Sequence, residues 1–286
     1  KEGESLVCHY CGREFPVPEK CPECGSRYIK FFGTGTEKVE DEIKKFFPQA
    51  VTGRLDLDAV KNRKDVDRIL GDFSKKKTEI LVGTQMVAKG LDFDSVGVVG
   101  VIGADVTLNI PDYRSCERTF QLITQVAGRA GRGQKQGLVI VQTYDPENYA
   151  VTAAANHDYE GFFNIEAAQR KIMGYPPFGD IIMVNLTAPE EETAWDCAKR
   201  CRLYMEKALS GAAKEGDLKA AEGKILSPKA AGGFRGRNSF RYYLIIKCPK
   251  GERGRYVYYL DSFSRILLKN KSDCTVGIDV NPYSFY

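Results

Sequence analysis

Three short apolar runs set the frame for this chain: Ile80-Leu81-Val82, the stretch 96–102, and Leu138-Val139-Ile140-Val141. A strand sends successive side chains to opposite faces, so a run apolar at every position suits a strand covered on both sides. Helical periods lie around them. Val39, Ile43 and Phe46 share one helical face, and Pro48 stops that helix. Val66, Ile69, Leu70 and Phe73 share another, and a third helix is expected over about 114–126. Strands are expected at 28–32, 79–82, 96–102 and 138–143, with a weaker one near 50–53. Strand and helix in alternation predict an α/β domain whose parallel sheet is covered by helices.

A second pattern starts near Asp158. A charged helix runs to about Met173 and is broken by Gly174-Tyr175-Pro176-Pro177. Strand 181–186, helix 191–209, strands 225–227 and 241–247, helix 255–269 and strand 274–280 follow. That is the β-α-β-β-α-β order of a split βαβ sandwich, an α+β domain. The expected division is a cysteine-rich zinc-binding segment over 1–28, the α/β lobe over 29–157 and the α+β domain over 158–286. Lys and Arg number 42 against 38 Asp and Glu, so a nucleic-acid surface must come from local clustering rather than from overall charge. The chain has no starting Met and opens on polar residues, which reads as a segment of something longer. The apolar run at 96–104 is too short to span a bilayer. The expectation is a soluble, cytoplasmic protein with no membrane partner.

Four of the nine cysteines crowd into the first 24 residues as Cys8-His9-Tyr10-Cys11 and Cys21-Pro22-Glu23-Cys24. Zinc takes four thiolates at tetrahedral corners, about 2.3 Å from the metal. Each C-x2-C turn offers two sulfurs on one side of an ion, and Gly12 and Gly25 suit the tight turn of a knuckle. Cys8, Cys11, Cys21 and Cys24 are therefore the expected Zn2+ ligands, against a disulfide pair or a redox dithiol as the alternatives. His9 reads as a bystander. Cys116, Cys197, Cys201, Cys248 and Cys274 read as small buried hydrophobes. Cys197 and Cys201 share a helix face, with no third ligand expected near them.

The segment 80–93 takes a buried strand into Gly83-Thr84-Gln85 and ends in Gly90-Leu91-Asp92. Ligands gather at the C-terminal edge of a parallel sheet. There Thr84, Gln85 and exposed amides suit a phosphate backbone, and Asp92 suits a ribose or a positioning arginine; the alternative is an ordinary βα loop. Gln125-Val126-Ala127-Gly128-Arg129-Ala130-Gly131-Arg132 closes a helix in a glycine-rich stretch. Two arginines three apart suit a polyphosphate, because guanidinium groups neutralise charge growing on a transferring phosphoryl group. The alternative is a basic solvated turn. Near the C-terminus Lys229, Arg235, Arg237 and Arg241 interleave with Phe234, Phe240, Tyr242 and Tyr243. This stretch has two open readings, a DNA-gripping loop and a solvated hairpin with its aromatics turned to the core. Lys75-Lys76-Lys77 reads as a solvated helix end, and Trp195 as an anchor for its helix.

These residues resemble the second RecA-like lobe of superfamily 2 helicases. Gln125 to Arg132 is similar to the arginine motif of that family, Gly83 to Asp92 to the motif before it, and Gly33 to Glu37 to an earlier loop that touches the tracked strand. The run Gly83-Thr84-Gln85-Met86-Val87-Ala88-Lys89-Gly90 narrows the resemblance to the replication-restart branch. So do Leu91-Asp92-Phe93, the run from Asp112 to Arg118, Tyr175-Pro176-Pro177, and a cysteine knuckle upstream of Gly33-Thr34-Gly35-Thr36-Glu37.

The resemblance implies an ATP-dependent DNA helicase, a hydrolase whose fold here is a RecA-like lobe. Arg129 and Arg132 would reach the γ-phosphate of ATP held on another lobe, with Gln125 orienting them. Gly90, Asp92 and Gly128 would line the nucleotide cleft. Thr36, Thr84, Gln85 and Lys89 would contact single-stranded DNA, and Lys229, Arg235 and Arg237 would grip forked DNA. The family carries eight cysteines and two zinc ions, with Cys8 and Cys11 on one ion and Cys21 and Cys24 on the other. Leu91 stands where the family commonly has His. Single-strand-binding protein and other primosome proteins are the implied partners, and ATP and Mg2+ the implied cofactors. The sequence holds no G-x-x-x-x-G-K-[ST] and no Asp-Glu-x-His. The chain alone is therefore expected to hydrolyse no ATP. The remaining alternatives are a zinc-stabilised nucleic-acid-binding module without a motor, and another superfamily 2 helicase.

Overall fold

The structure is a computed structural model that describes residues 5–7, 14–16, 18–22, 24–28, 35–56, 59–60, 62–84, 96–110, 112–128, 130, 137–214, 216, 222–230 and 239–285. The chain divides into two compact units, Tyr28–Glu166 on one hand and Lys1–Arg27 with Ala167–Tyr286 on the other.

Within Tyr28–Glu166 the order is α1 (Thr36–Phe46), β3 (Thr52–Leu55), α2 (Arg63–Ser74), β4 (Ile80–Gly83), β5 (Val98–Val101), α3 (Asp105–Leu108), α4 (Ser115–Ala127), β6 (Leu138–Val141), α5 (Tyr149–Ala155) and the start of α6 (Tyr159–Met173). β1 (Ser5–Val7) and β2 (Glu14–Pro16) precede them as a small antiparallel pair. β3 and β4 run parallel with Thr52 opposite Ile80, as do β5 and β6 with Val98 opposite Leu138. Parallel neighbours need a crossover, and α2 supplies it for the first pair. The Asn62 side chain accepts from the Asp65 amide at 3.1 Å, a cap that explains why α2 begins there. Val66, Ile69, Leu70 and Phe73 are half-buried, as their spacing predicts.

The expected single sheet is found, among the described residues, as two parallel pairs. The expectation of strands covered on both faces also needs correction. Val98, Leu138 and Ile140 are each more than half exposed. Apolar composition gives a strand the capacity for burial on both faces but does not determine what covers it. The expected strand at 28–32 falls, beyond Tyr28, outside the described residues. The core of this unit lies under α4, where Phe120 and Ile123 pack with Ala150, Val151, Ala154 and Phe162. The rings of Phe120 and Phe162 stack with centroids 4.2 Å apart.

The other unit contains β7 (Gly179–Ala188), α7 (Glu191–Lys214), β8 (Lys224–Ile225), β9 (Lys229–Ala230), β10 (Phe240–Pro249), α8 (Arg253–Lys269) and β11 (Thr275–Val280). The strands lie in the order β11-β7-β10-β8, with β9 also on β10, and every pair is antiparallel. The expected strand at 225–227 is realised as two short pieces either side of Pro228, which has no N–H to give a ladder. α7 and α8 pack on one face through Ala194, Cys201, Met205, Tyr256, Leu260 and Leu267, against Ile182, Val184, Leu186, Leu244 and Ile246. Before this unit's sheet, α6 ends at Met173 and Gly174 takes a φ of +65°, a left-handed turn that glycine adopts without steric cost. Among the described residues, no helix is long and apolar enough to cross a membrane.

Candidate nucleotide and nucleic-acid interface

The C-terminal edge of the β3–β4 pair gathers several of the expected site residues. Leu55 is opposite Gly83, so the next residues, Asp56 and Thr84, leave the sheet side by side. The Thr84 amide still donates to Leu55 O at 3.4 Å. The Thr36 hydroxyl, at the start of α1, donates to Asp56 Oδ2. Asp56 also accepts from the Ala59 amide at 2.7 Å, and Arg54 Nε lies 3.1 Å from its Oδ2. This buried carboxylate ties the N-terminus of α1 to the strand ends and thereby brings Thr36 and Thr84 to one edge. No side chain caps α1, which leaves its first-turn amides available to an anion. The sequence reading did not single out Asp56, whose only signal was a carboxylate directly after a strand. Gln85, Lys89, Gly90 and Asp92 lie outside the described residues.

α4 carries the second group. Thr119, Phe120, Ile123 and Val126 are its buried side, whereas Gln125 is exposed and Gly128, its C-cap, is exposed as well. Arg129 and Arg132 lie outside the described residues. At the other end of α4, Asp112 is buried, accepts from the Arg114 amide at 2.9 Å and sits 3.1 Å from Arg118 Nη1, an ion pair without hydrogen-bond alignment. The Arg114 guanidinium lies over the Tyr113 ring at 4.7 Å. Asp105 accepts from the Tyr144 amide and from Thr143 Oγ1, both at 3.0 Å, and so fastens α3 to the end of β6. These two buried carboxylates were also missed as structural ties. Below α4, Tyr149 donates to Glu166 at 2.5 Å. Burial, followed by hydrogen bonds with Cys116 and Glu166, pushes the Tyr149 hydroxyl well above its ordinary pKa, so it stays a neutral donor.

Strand alternation sorts the basic–aromatic stretch near the C-terminus. Tyr242 turns to the helices, where its ring tilts against Trp195 at 5.2 Å and its hydroxyl donates to Glu191 at 3.0 Å. Trp195 thus joins α7 to β10, with Lys199 over its ring. Tyr243 points to the opposite face, and Lys229, exposed on β9, is paired with it. Phe234, Arg235 and Arg237 lie outside the described residues. Lys75 to Lys77 are exposed at the end of α2.

Cys8 and Cys11 also lie outside the described residues. Cys21 and Cys24 are thiols rather than disulfide halves. Gly25 N donates to Cys21 O at 2.9 Å and Cys21 N to Ser26 O at 2.8 Å, with Gly25 at φ +69°. This tight turn fits one half of a thiolate metal site. Among the described residues, no group of three or more potential ligands forms one. Cys274, just before β11, shares the core of Cys197 and Cys201 and hydrogen-bonds with Cys197. That bond and burial raise Cys197, while burial holds Cys201 up to about 12 and Cys248 up to about 11. They remain protonated core thiols.

Comparison with known proteins fits this layout. Residues 26–134 match the family "Helicase conserved C-terminal domain". With parallel strand pairs and helical crossovers, this part of the chain is a helicase C-terminal lobe of mixed α/β type. Residues 171–283 match "Primosomal protein N C-terminal domain". The replication restart protein PriA of Bacillus subtilis is 42% identical over 283 residues, covering 98% of this chain and 34% of that protein. PriA of Synechocystis is 37% identical over 279 residues, 98% of this chain and 32% of its own length. PriA of Thermotoga maritima is 34% identical over 269 residues, 92% of this chain and 34% of its own. The chain belongs to the PriA family and corresponds to its C-terminal region. It spans about a third of the length of these relatives.

Proposed function

We propose that this chain is the C-terminal part of an ATP-dependent DNA helicase that restarts replication by binding forked DNA and initiating primosome assembly. The reading is carried by the exposed end of α4, which presents Gln125 and Gly128 to solvent immediately before Arg129 and Arg132. Hydrolysis needs these arginines to meet ATP bound on another lobe, where they would neutralise charge on the transferring phosphoryl group. Gly90, Asp92 and Gly128 line the nucleotide cleft, and Mg2+ belongs to the ATP-binding lobe. Thr36, Thr84, Gln85 and Lys89 hold single-stranded DNA at the sheet edge. Lys229, Arg235 and Arg237 grip the fork. Single-strand-binding protein and primosome proteins are the partners, and the compartment is the cytoplasm. The functional division is a zinc segment over 1–28, a RecA-like lobe over 29–157 and a split βαβ domain over 158–286. The antiparallel β11-β7-β10-β8 order supports the last of these.

The test compares the purified chain with a protein that joins it to an ATP-binding lobe. The chain alone is expected to give no DNA-stimulated phosphate release, and the joined protein to give clear turnover. Turnover by the chain alone would contradict the reading.

Cys8, Cys11, Cys21 and Cys24 would hold zinc. The metal, when bound, cross-links a segment too short to form a hydrophobic core of its own. Zinc should then slow carbamidomethylation of Cys21 and Cys24 by iodoacetamide, and chelation should restore it. Cys197, Cys201 and Cys248 should stay unlabelled either way, because the bond with Cys274 together with burial keeps Cys197 protonated and burial keeps Cys201 and Cys248 so. Equal labelling of Cys24 with and without zinc would count against the metal.

A further inference from the structure

The carboxylate of Asp56, buried just past the end of β3, serves partners of two kinds. Its Oδ1 accepts from the Ala59 amide at 2.7 Å, and its Oδ2 lies 3.1 Å from Arg54 Nε. These partners belong to its own strand and to the loop that follows. Oδ2 also accepts from the Thr36 hydroxyl, which comes from a different element, the first turn of α1.

A second tie holds α1 on β3. One turn further along the helix, Glu40 accepts from Thr52 Oγ1 at 2.9 Å. The helix therefore keeps a polar anchor on the strand when Thr36 lets go of Asp56. Asp56 is provided for as well. With Arg54 and the Ala59 amide in place, its buried charge is not left unpaired. The bond between Thr36 and Asp56 can open without undocking either element.

A threonine hydroxyl has one proton to donate. While Asp56 Oδ2 accepts it, a phosphate oxygen cannot. Carboxylate and phosphate are both oxyanions, and the first turn of α1, whose amides have no side-chain cap, suits either of them. Asp56 thus stands, from within the chain, where Thr36 would otherwise meet an external anion.

We infer that Asp56 is a latch on the DNA contact at Thr36, taking the hydroxyl proton when the strand is absent and yielding it to a phosphate when the strand arrives. The exchange replaces one charge-assisted hydrogen bond by another, so the contact is made and broken with little net change in energy. A motor has to release each phosphate as well as hold it. This regulation rests on the reading that Thr36 meets single-stranded DNA.

The test uses the 286-residue chain and a fluorescein-labelled oligo(dT), with affinity read by anisotropy. In Asp56→Asn the Ala59 amide retains Oδ1, so the amide nitrogen takes the Oδ2 position and accepts no proton from Thr36. Asp56→Asn should therefore bind about tenfold more tightly than the wild type. Thr36→Val should bind more weakly, and Thr36→Ser like the wild type. Added to Thr36→Val, Asp56→Asn should change affinity by less than about twofold, because its effect runs through the hydroxyl. The latch is overturned if Asp56→Asn binds more weakly or unchanged, as a purely structural carboxylate predicts. It is overturned too if Asp56→Asn strengthens binding equally with and without the Thr36 hydroxyl, as simple loss of a repelling charge predicts. If Asp56→Asn does not fold, the wild type still decides. Its Asp56 carboxyl carbon, followed by NMR on a chain carrying isotope-labelled aspartate, should shift on saturation with oligo(dT), and an unmoved signal overturns the latch. If Thr36→Val weakens binding and only the Asp56 results fail, the DNA contact at Thr36 stands; if Thr36→Val binds as the wild type does, both fall.

Discussion

Arg129→Ala, in a protein that joins this lobe to an ATP-binding lobe, should cut DNA-stimulated ATP hydrolysis by about a thousandfold or more. Single-stranded DNA affinity should be unchanged. The physical reason is that the guanidinium acts on charge that grows only as the phosphoryl group transfers, so its loss falls on the rate and spares ground-state DNA contacts. On the proposed reading those contacts fall elsewhere, at Thr36 and Thr84, which Asp56 helps bring to one sheet edge. A steady-state ATPase assay beside an anisotropy titration separates the two effects. If the variant lost DNA binding and the parent protein had no hydrolysis to lose, the chain would be a phosphate-gripping module rather than half of a motor.

The largest expected effect on folding is Leu244→Ala. Leu244 is fully buried at the middle of β10, opposite Val184 of β7, and contributes to the one core that α7 and α8 share with the sheet. Removing its three outer carbons leaves a cavity that rigid strands cannot close. The cost is about 3 kcal/mol, within the range for buried leucines. Urea denaturation followed by far-ultraviolet circular dichroism should show the midpoint of one transition fall, while that of the Tyr28–Glu166 unit stays in place. A shift of both transitions together would mean that the two units unfold as one. A loss below about 1 kcal/mol would mean that the core collapses around the gap.

The sequence made some of this legible and hid the rest, for physical reasons. Local periodicity is a short-range signal. Val66, Ile69, Leu70 and Phe73 announced α2, and Ile80-Leu81-Val82 announced β4. The strands expected at 181–186 and 241–247 are found inside the longer β7 and β10. The helix α5 was missed because Ala150, Ala153 and Ala154 carry little hydrophobic contrast, although Asn148 caps it through the Ala150 amide at 3.0 Å. Contacts distant in sequence were invisible. Nothing local to Asp56 told of Thr36, 20 residues earlier. Nothing near Cys197 told of Cys274. The same holds for the aromatics of β10. Composition could not say that Tyr242 turns inward and Tyr243 outward, because that depends on register with β7. The candidate site was legible as motifs, whereas the carboxylates that hold its parts in place became visible only in the fold.

The central claim is that Arg129 and Arg132 close on a triphosphate bound to a second lobe. The most direct measurement is retention of radiolabelled ADP with aluminium fluoride, a mimic of the transferring phosphoryl group, by the joined two-lobe protein on single-stranded DNA. The wild type should trap the complex through gel filtration, and the Arg129→Ala, Arg132→Ala double variant should release it while still binding ADP alone. Equal trapping by both proteins would contradict the claim.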